Sequence, residues 1–364
     1  MQRRLPRGAP GGILRGMDDA RIPAQVLSRY RDLADQPHRR FGTGLDNRTF
    51  RVEGRGGPVI VQRLHPVFAG TVNEDIEAVT AHLSSKGLVT PRPVRCDDGA
   101  LWVEGADERP WRALSCIEGE SFDRILSPAH AREAGRLVAR FHLAVADLAH
   151  TYRHVRVGVH DTAKHLAGLR RALQDHPGHR LHGEVAALAA RLFAEAERLP
   201  DLSRMPARHA HGDLKISNVL FREDRAVCLV DLDTLGLMSW PLEMGDALRS
   251  WCNSNGEDVH EATVDSAIFE AALEGYGEIA RPAAFPSREE ALALVDGLAT
   301  ICLELAARFL ADALAETYFG FDASRFPARG EHNLLRGRGQ WALFQSVARA
   351  RPELEASVLR ALGR

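Results

Sequence analysis

The sequence predicts an α+β protein with a small β-rich N-lobe and a larger, mostly helical C-lobe. Residues 49–53 alternate and residues 58–61 are β-prone, with glycines between them, a pattern typical of a β-hairpin. Apolar side chains then recur at helical spacing over residues 72–83. Beyond residue 118 helical patterns dominate, and only residues 219–230 interrupt them with a second hairpin.

The remaining elements follow the same order along the chain. Two further strand patterns cover residues 101–104 and 111–117. Helical patterns cover residues 137–148, 185–199, 289–316 and 341–362. Residues 1–20 carry arginines among glycines and prolines without a useful apolar run, so we expect a disordered leader rather than a signal peptide.

Composition restricts the possible partners and the compartment. The 364 residues are 45% apolar and 26% charged, which is typical of a folded soluble protein. A formal charge of -2 does not suggest binding to nucleic acid, and no apolar run is long enough to cross a bilayer. The five cysteines are scattered without a CxxC pair, which favours buried thiols over zinc ligands or disulfides. We therefore expect a cytoplasmic protein with neither a nucleic-acid nor a membrane partner; whether it is a monomer or a dimer stays open.

One segment concentrates chemical groups, His211-Gly212-Asp213-Leu214-Lys215-Ile216-Ser217-Asn218. Phosphoryl transfer requires a group that accepts a proton, a cation near the phosphate, and oxygen ligands for a metal. Asp213 would be the base and Lys215 the cation. The same residue types at this spacing can also merely cap a turn.

The metal ligands are expected at both ends of the second hairpin. Asn218 precedes its first strand and would offer an amide oxygen, while Asp231 ends its second strand. Asp233 follows two residues later and could share the metal. The sequence therefore predicts a Mg²⁺ site formed by these three side chains.

Together these residues resemble the protein-kinase catalytic loop, with Asp231-Leu232-Asp233 at the place of the D-F-G motif. The form with Gly212 is similar to the aminoglycoside phosphotransferase and choline kinase superfamily. The resemblance implies a protein-kinase-like bilobal fold with a cleft between the lobes, and ATP and Mg²⁺ as cofactors. It also implies that Asp246 holds the catalytic loop by hydrogen bonds.

A glycine-containing turn precedes the first hairpin. Gly42 and Gly44 flank Thr43 and would let backbone N–H groups approach phosphates. Asn47 stands where a third glycine is usual. Such a turn is common in proteins without nucleotides, but its place before a hairpin in the N-lobe favours nucleotide binding.

The lysine expected on the third strand is absent, and Gln62 takes its place. Arg63 is adjacent but should point to the other face of the strand. Either Gln62 binds phosphates as an uncharged donor, or Arg63 or another cation substitutes. Glu77 on the next helix would orient this group, with Glu74 as the alternative, although both also suit a solvated helix face. We accordingly assign nucleotide binding to residues 21–118, and catalysis and substrate binding to residues 119–364.

The chain further resembles the N-acetylhexosamine 1-kinases of that superfamily, nearly end to end. The segments that carry this resemblance are residues 62–64, 76–83, 111–112, 160–162, 230–234, 245–249, 308–312, 318–319 and 331–336. It implies transfer of the ATP γ-phosphate to the anomeric hydroxyl of an N-acetylhexosamine. The residues matching substrate positions are Asp213, Asp231 and Arg308.

Several features of this resemblance leave alternatives open. Glu304, Asp312 and His332 also match the family, but each equally suits an interior ion pair or a helix cap. Gly212 and Leu214 stand where the family often has Asn and Thr. An aminoglycoside, choline, homoserine or another hydroxyl compound is therefore an alternative acceptor, and a nucleotide-binding pseudokinase is a further alternative.

Overall fold

The computed structural model describes residues 21–41, 47–154 and 160–363. These residues form two compact units. The first contains residues 21–41, 47–74 and 91–116, and the second contains the other described residues. The sequence pattern predicts one boundary at residue 118, whereas the contacts group residues 75–90 with the second unit.

The first unit is built on an antiparallel sheet. Its strands are β1 (His38–Arg40), β2 (Arg48–Gly54), β3 (Gly57–Arg63), β4 (Pro93–Val94), β5 (Val103–Glu104) and β6 (Pro110–Ser115). The strand order is β1-β2-β3-β6-β4, and β5 pairs with β6. The predicted first hairpin is confirmed, since β2 and β3 pair and turn at Gly54 and Gly57.

The core of the first unit lies on one face of this sheet. Phe50, Val61 and Ala113, on three neighbouring strands, are all 0% exposed. Trp111 stacks on Phe50 with ring centroids 6.0 Å apart, and helix α1 (Ala24–Leu27) contributes to the same cluster. Because side chains alternate along a strand, the intervening residues lie on the opposite face.

Helices dominate the rest of the chain. They are α2 (Val72–Ser85), α3 (Pro128–Val145), α4 (Thr162–Asp175), α5 (His182–Ala196), α6 (Trp240–Trp251), α7 (Ser266–Ala280), α8 (Arg288–Leu292), α9 (Leu294–Ala315) and α10 (Arg329–Leu362). The predicted helix over 72–83 is confirmed. The pattern over 289–316 divides into two helices, and α10 begins 12 residues before the predicted start at residue 341. The predicted α+β class, β-rich first and helical later, is confirmed.

Two short strand pairs lie within the helical unit. Their strands are β7 (Ala207–Ala210), β8 (Val219–Arg222), β9 (Arg225–Leu229) and β10 (Gly236–Ser239). β8 and β9 form the predicted second hairpin, and β7 pairs antiparallel with β10. The segments between these strands carry the predicted catalytic residues. In the described part of the chain, no helix is both long enough and apolar enough to cross a membrane.

Glycines allow α3 and α7 to pack with their backbones close together. A Cβ atom at Gly135 would lie 2.0 Å from the carbonyl oxygen of Ala272, and one at Gly275 would lie 2.0 Å from that of Arg132. Both distances are far below van der Waals contact. A side chain at either position would therefore push the two helices apart.

We predict that Gly135→Ala destabilises the protein by roughly 1–3 kcal/mol, because the added methyl group overlaps backbone atoms of α7. Gly168→Ala on α4 is the matched control, since a Cβ there meets nothing within 4 Å. That control should instead stabilise the protein by about 0.5–1 kcal/mol through helix propensity. Urea unfolding followed by circular dichroism measures both effects, and equal stabilisation by the two substitutions would contradict the close packing.

Candidate active site

Hydrogen bonds join the predicted catalytic loop to the segment that contains Asp231. His211 Nε2 lies 3.0 Å from the carbonyl oxygen of Val230, and Thr234 Oγ1 donates to the carbonyl oxygen of His211 at 2.9 Å. At the other end of the loop, the Val230 N–H donates to the Asn218 carbonyl at 2.9 Å. The structure thus brings residues 211–218 alongside residues 230–234.

Gly212 is required by the backbone at this junction. Its φ is +80°, and a Cβ atom there would lie 2.3 Å from the carbonyl oxygen of Thr234. A side chain would therefore strain the backbone and also force the two segments apart. This contact explains why glycine stands where the protein-kinase loop has arginine.

Asp213 is partly exposed and has two polar partners from its own loop. Lys215 Nζ lies 2.7 Å from its Oδ2, and Asn218 Nδ2 donates to its carbonyl oxygen at 2.9 Å and to Oδ2 at 3.1 Å. Burial alone would raise the pKa of Asp213. The charge and hydrogen bond of Lys215, with a smaller contribution from Arg249, outweigh it and hold that pKa below its ordinary value. Asp213 is therefore ionised at neutral pH.

His211 is a neutral structural residue beneath this carboxylate. It is fully buried, and burial lowers its pKa. Since a carbonyl oxygen only accepts, Nε2 must carry the proton that it donates to Val230. Nδ1 then accepts the backbone N–H of Asp213 at 3.3 Å. The histidine consequently orients the loop and is not positioned as a base.

Helix α6 holds the catalytic loop at several points. The buried Glu243 carboxylate accepts the backbone N–H groups of His211 at 2.6 Å and Gly212 at 3.3 Å. Further along the loop, Trp251 Nε1 donates to the carbonyl oxygen of Leu214 at 2.8 Å. These bonds fix the loop from its first residue to the residue after Asp213.

The resemblance assigns this supporting role to Asp246, and that assignment is wrong. The Asp246 carboxylate accepts from Arg249 at 3.2 Å, and Glu243, three residues earlier on α6, bonds the loop instead. Glu243 bonds the loop backbone, whereas the hydrogen bonds of the Asp246 carboxylate are to Arg249. In the sequence, Glu243 stands out as an acidic residue within a largely apolar helical segment, and this could have indicated its buried role.

A buried polar network compensates the charge of Glu243. His142 Nε2 lies 3.2 Å from its Oε2, and His142 Nδ1 lies 2.7 Å from the Tyr276 hydroxyl. Trp240 Nε1 donates to the same hydroxyl at 2.8 Å. Burial would raise the pKa of Glu243, but the interaction and hydrogen bond with His142, together with the backbone N–H of His211, lower it. Glu243 therefore remains a carboxylate that can accept from the loop.

The side chains predicted to bind metal have suitable chemistry. Asn218 uses its amide nitrogen for Asp213, so its carbonyl oxygen faces away from that carboxylate. Asp231 adopts a left-handed backbone conformation with φ 65°, and Asp233 is 2% exposed. Within residues 21–41, 47–154 and 160–363, no three His, Cys, Asp or Glu side chains group closely enough to hold a metal themselves. The predicted donors are therefore carboxylate and amide oxygens, the ligand types that suit Mg²⁺.

The residues predicted to bind nucleotide lie in different parts of the structure, and some fall outside the described residues. Gly42, Thr43 and Gly44 lie outside the described residues. Asn47 is buried, and its Oδ1 accepts the backbone N–H of His65 at 2.8 Å. Gln62 lies on β3 of the first unit, and Glu77 lies on α2 in the second.

Arg308 lies on α9 of the second unit. Its guanidinium carbon is 5.4 Å from the centroid of the Phe319 ring. Its N–H groups form no hydrogen bond with any residue that the structure describes. The structure therefore does not join Arg308 to Asp213 or Asp231 by a hydrogen bond.

The three ambiguous family matches have structural partners. Glu304 accepts from Thr162 Oγ1 at 2.5 Å. Asp312 accepts the backbone N–H groups of Thr317, Tyr318 and Phe319, each at 2.8 Å. His332 Nε2 lies 2.9 Å from Asp258 Oδ1, and its ring stacks on Phe326. These contacts support the interpretation of Glu304, Asp312 and His332 as ion-pair and cap residues.

We predict that Lys215→Met raises the pKa of Asp213, because burial then acts without the opposing ammonium charge. Titration of ¹³C-carboxyl signals in aspartate-labelled protein measures the shift, and loss of one signal in Asp213→Asn identifies the resonance. Lys164→Met on exposed α4 is the control and should leave the Asp213 titration unchanged. An unchanged or lower pKa in Lys215→Met would contradict the pairing.

Comparisons with known proteins agree with this arrangement. The homoserine kinase of Burkholderia mallei is 27% identical over 265 residues, which cover 68% of this chain and 74% of that protein. The structure of an aminoglycoside phosphotransferase from Alicyclobacillus acidocaldarius aligns with a TM-score of 0.61 at 18% identity, covering 92% of this chain and 97% of that one. A microcompartment-associated aminopropanol kinase aligns with a TM-score of 0.62 at 19% identity, covering 93% and 98%.

At these identities the solved structures establish a shared fold. The sequence itself matches the phosphotransferase enzyme family, APH, over residues 38–282, which is most of the chain. That range includes the catalytic loop, the β8–β9 hairpin and α6. The chain belongs to the APH phosphotransferase enzyme family.

Proposed function

We propose that the chain transfers the γ-phosphate of ATP to a hydroxyl group of a small molecule. The observation that carries this proposal is the state of Asp213. Its side chain is 27% exposed, is kept ionised by Lys215, and is fixed by Asn218. An ionised and accessible carboxylate on a rigid loop suits a base that accepts the proton of an attacking hydroxyl.

The other loop residues complete the reaction chemistry. Lys215 lies next to the base and is a point charge for the γ-phosphate. Asn218, Asp231 and Asp233 would hold Mg²⁺, which when bound neutralises charge on the phosphate oxygens. We assign nucleotide binding to Gly42, Thr43, Gly44, Asn47, Gln62 and Glu77 from their positions in the sequence.

We favour a sugar as the acceptor, specifically the anomeric hydroxyl of an N-acetylhexosamine. The resemblance to N-acetylhexosamine 1-kinases extends beyond the catalytic loop to residues 308–312 and 331–336. A neutral sugar ring needs several hydrogen-bond donors and acceptors. Arg308 supports this assignment, since its N–H groups bond no described residue, and Asp213 and Asp231 offer acceptors.

An amino alcohol of the homoserine type is the second candidate acceptor. It is favoured by the 27% identity with homoserine kinases, which extends over 265 residues. Such acceptors carry an ammonium group and require an acidic or aromatic pocket, whereas a neutral sugar does not. Aminoglycosides and choline make the same demand.

We predict phosphorylation of N-acetylhexosamines when purified protein is supplied with ATP, Mg²⁺ and a panel of hydroxyl compounds. The panel includes N-acetylglucosamine, N-acetylgalactosamine, homoserine, aminopropanol, choline and kanamycin, and ³¹P NMR identifies the product. Asp213→Asn is the control and should lose about 100-fold to 10,000-fold in kcat, because the base is removed. Turnover of homoserine alone would show that the acceptor is an amino alcohol and not an N-acetylhexosamine.

We predict that Asp231→Ala lowers the affinity for the ATP analogue AMP-PNP about tenfold in the presence of Mg²⁺ and much less in its absence. Isothermal titration calorimetry with and without the metal measures both affinities. Asp224→Ala, in the exposed turn of the β8–β9 hairpin, is the matched control and should bind like the wild type. Metal-independent binding by the wild type, without turnover of any acceptor, would instead indicate a pseudokinase.

A further inference from the structure

The first unit must bind a nucleotide without a lysine. The chain has only three lysines, Lys86, Lys164 and Lys215, and all three belong to the second unit. The third strand carries Gln62 instead. Any positive charge or N–H donor that the first unit offers to phosphates must therefore come from arginine, histidine, a neutral side chain or the backbone.

Gln62 lies in a row of polar side chains across three strands. Thr49 on β2 and Arg112 on β6 are its direct partners in the register of the sheet. We call Thr49, Gln62 and Arg112 the polar row. Phe50, Val61 and Ala113, the next residues along each strand, are buried in the core, so the polar row lies on the opposite face of the sheet.

Hydrogen bonds fix the orientation of the Gln62 amide. Arg112 donates to Gln62 Oε1 from Nε at 3.0 Å and from Nη2 at 2.7 Å. Gln62 Nε2 in turn donates to Thr49 Oγ1 at 3.1 Å. The flipped amide would set its N–H groups against the guanidinium N–H groups, so only one orientation satisfies the row. The Gln62 NH₂ group therefore points towards β2, the strand that follows the glycine-containing turn.

Two arginines near Gln62, Arg63 and Arg51, have acidic partners of their own. Arg63, on the other face of β3, forms an ion pair with Asp107. Arg51, which shares the face of the polar row, bonds Glu53 at 2.8 Å. Arg112 is only 1% exposed, and its Nη1 also lies 3.4 Å from Asn73 Oδ1 at the start of α2. Arg112 is thus positioned to act on a ligand through the half-buried Gln62.

We propose that Gln62 replaces the missing third-strand lysine as a neutral N–H donor to a phosphate group of the nucleotide, and that Arg112 is its positioning residue. The guanidinium holds Oε1, and this keeps the NH₂ group presented and polarises it towards an anion. This inference rests on the proposed nucleotide-dependent function and names the donor that the lysine would otherwise supply.

The test compares the affinity of the protein for Mg²⁺–AMP-PNP with its affinity for adenosine, which has no phosphate. Gln62→Glu keeps the acceptor for Arg112 but replaces the donor by a carboxylate. We expect it to weaken AMP-PNP binding roughly 10-fold to 100-fold, because a hydrogen bond to a charged group is lost. Adenosine binding should change less than about twofold.

Arg112→Met removes the positioning group and should weaken AMP-PNP binding about fivefold with adenosine binding retained. Arg112→Lys keeps a buried cation and should give an intermediate loss of AMP-PNP affinity. It also serves as the test variant if Arg112→Met does not fold. Arg63→Gln is the matched control on the other face of β3 and should bind both ligands like the wild type.

Two results would overturn the inference. One is wild-type AMP-PNP affinity in Gln62→Glu. The other is an equal loss of adenosine and AMP-PNP binding in the Gln62 and Arg112 variants, which indicates a structural role alone. Because binding is measured rather than turnover, the outcome is separate from the proposed reaction. A wild-type protein that binds AMP-PNP but phosphorylates no acceptor would contradict the proposed function and leave this inference standing.

Discussion

The carboxylate of Glu243 is the contact on which the catalytic loop depends. A buried charge is costly unless hydrogen bonds and opposite charges compensate it. Glu243 obtains that compensation from His142 and from the backbone N–H groups at the start of the loop. Any displacement of the loop would leave the carboxylate unsatisfied, so the network in α3, α6 and α7 fixes the backbone two residues before Asp213. The proposed base is therefore held by the interior of the helical unit.

The same region shows how local and distant contacts divide the work. The side chains that bond the Asp213 carboxylate, Lys215 and Asn218, come from its own loop, within five residues. The contacts that place the loop come from elsewhere, through Glu243 on α6 and through Val230 after the second hairpin. Gly212 lets these two kinds of contact coexist, because no other residue fits against Thr234. The reactive groups are thus encoded within the loop itself, whereas the residues that position the loop come from distant segments of the chain.

This division explains what the sequence could predict. The two hairpins and helix α2 follow from local periodicity, and the groups around Asp213 follow from the spacing of one motif. Glu243 and Arg112 were missed as partners because their contacts depend on packing between distant segments. The β7–β10 pair is short and has no local turn signal. Helix α6 buries Glu243, Asp246 and Arg249 together with its apolar residues, so its polar positions do not mark a solvent-exposed face.

The scarcity of lysine gives the ion pair between Lys215 and Asp213 a practical consequence. With Lys86 and Lys164 as the other side-chain amines, acylating reagents meet few competing targets in this chain. Lys215 is 37% exposed and paired with the Asp213 carboxylate at 2.7 Å, so acylating reagents can reach it. Peptide mapping after limited acylation can therefore follow this single amine directly. Its protection by added compounds would then report occupancy of the loop without any assay of turnover.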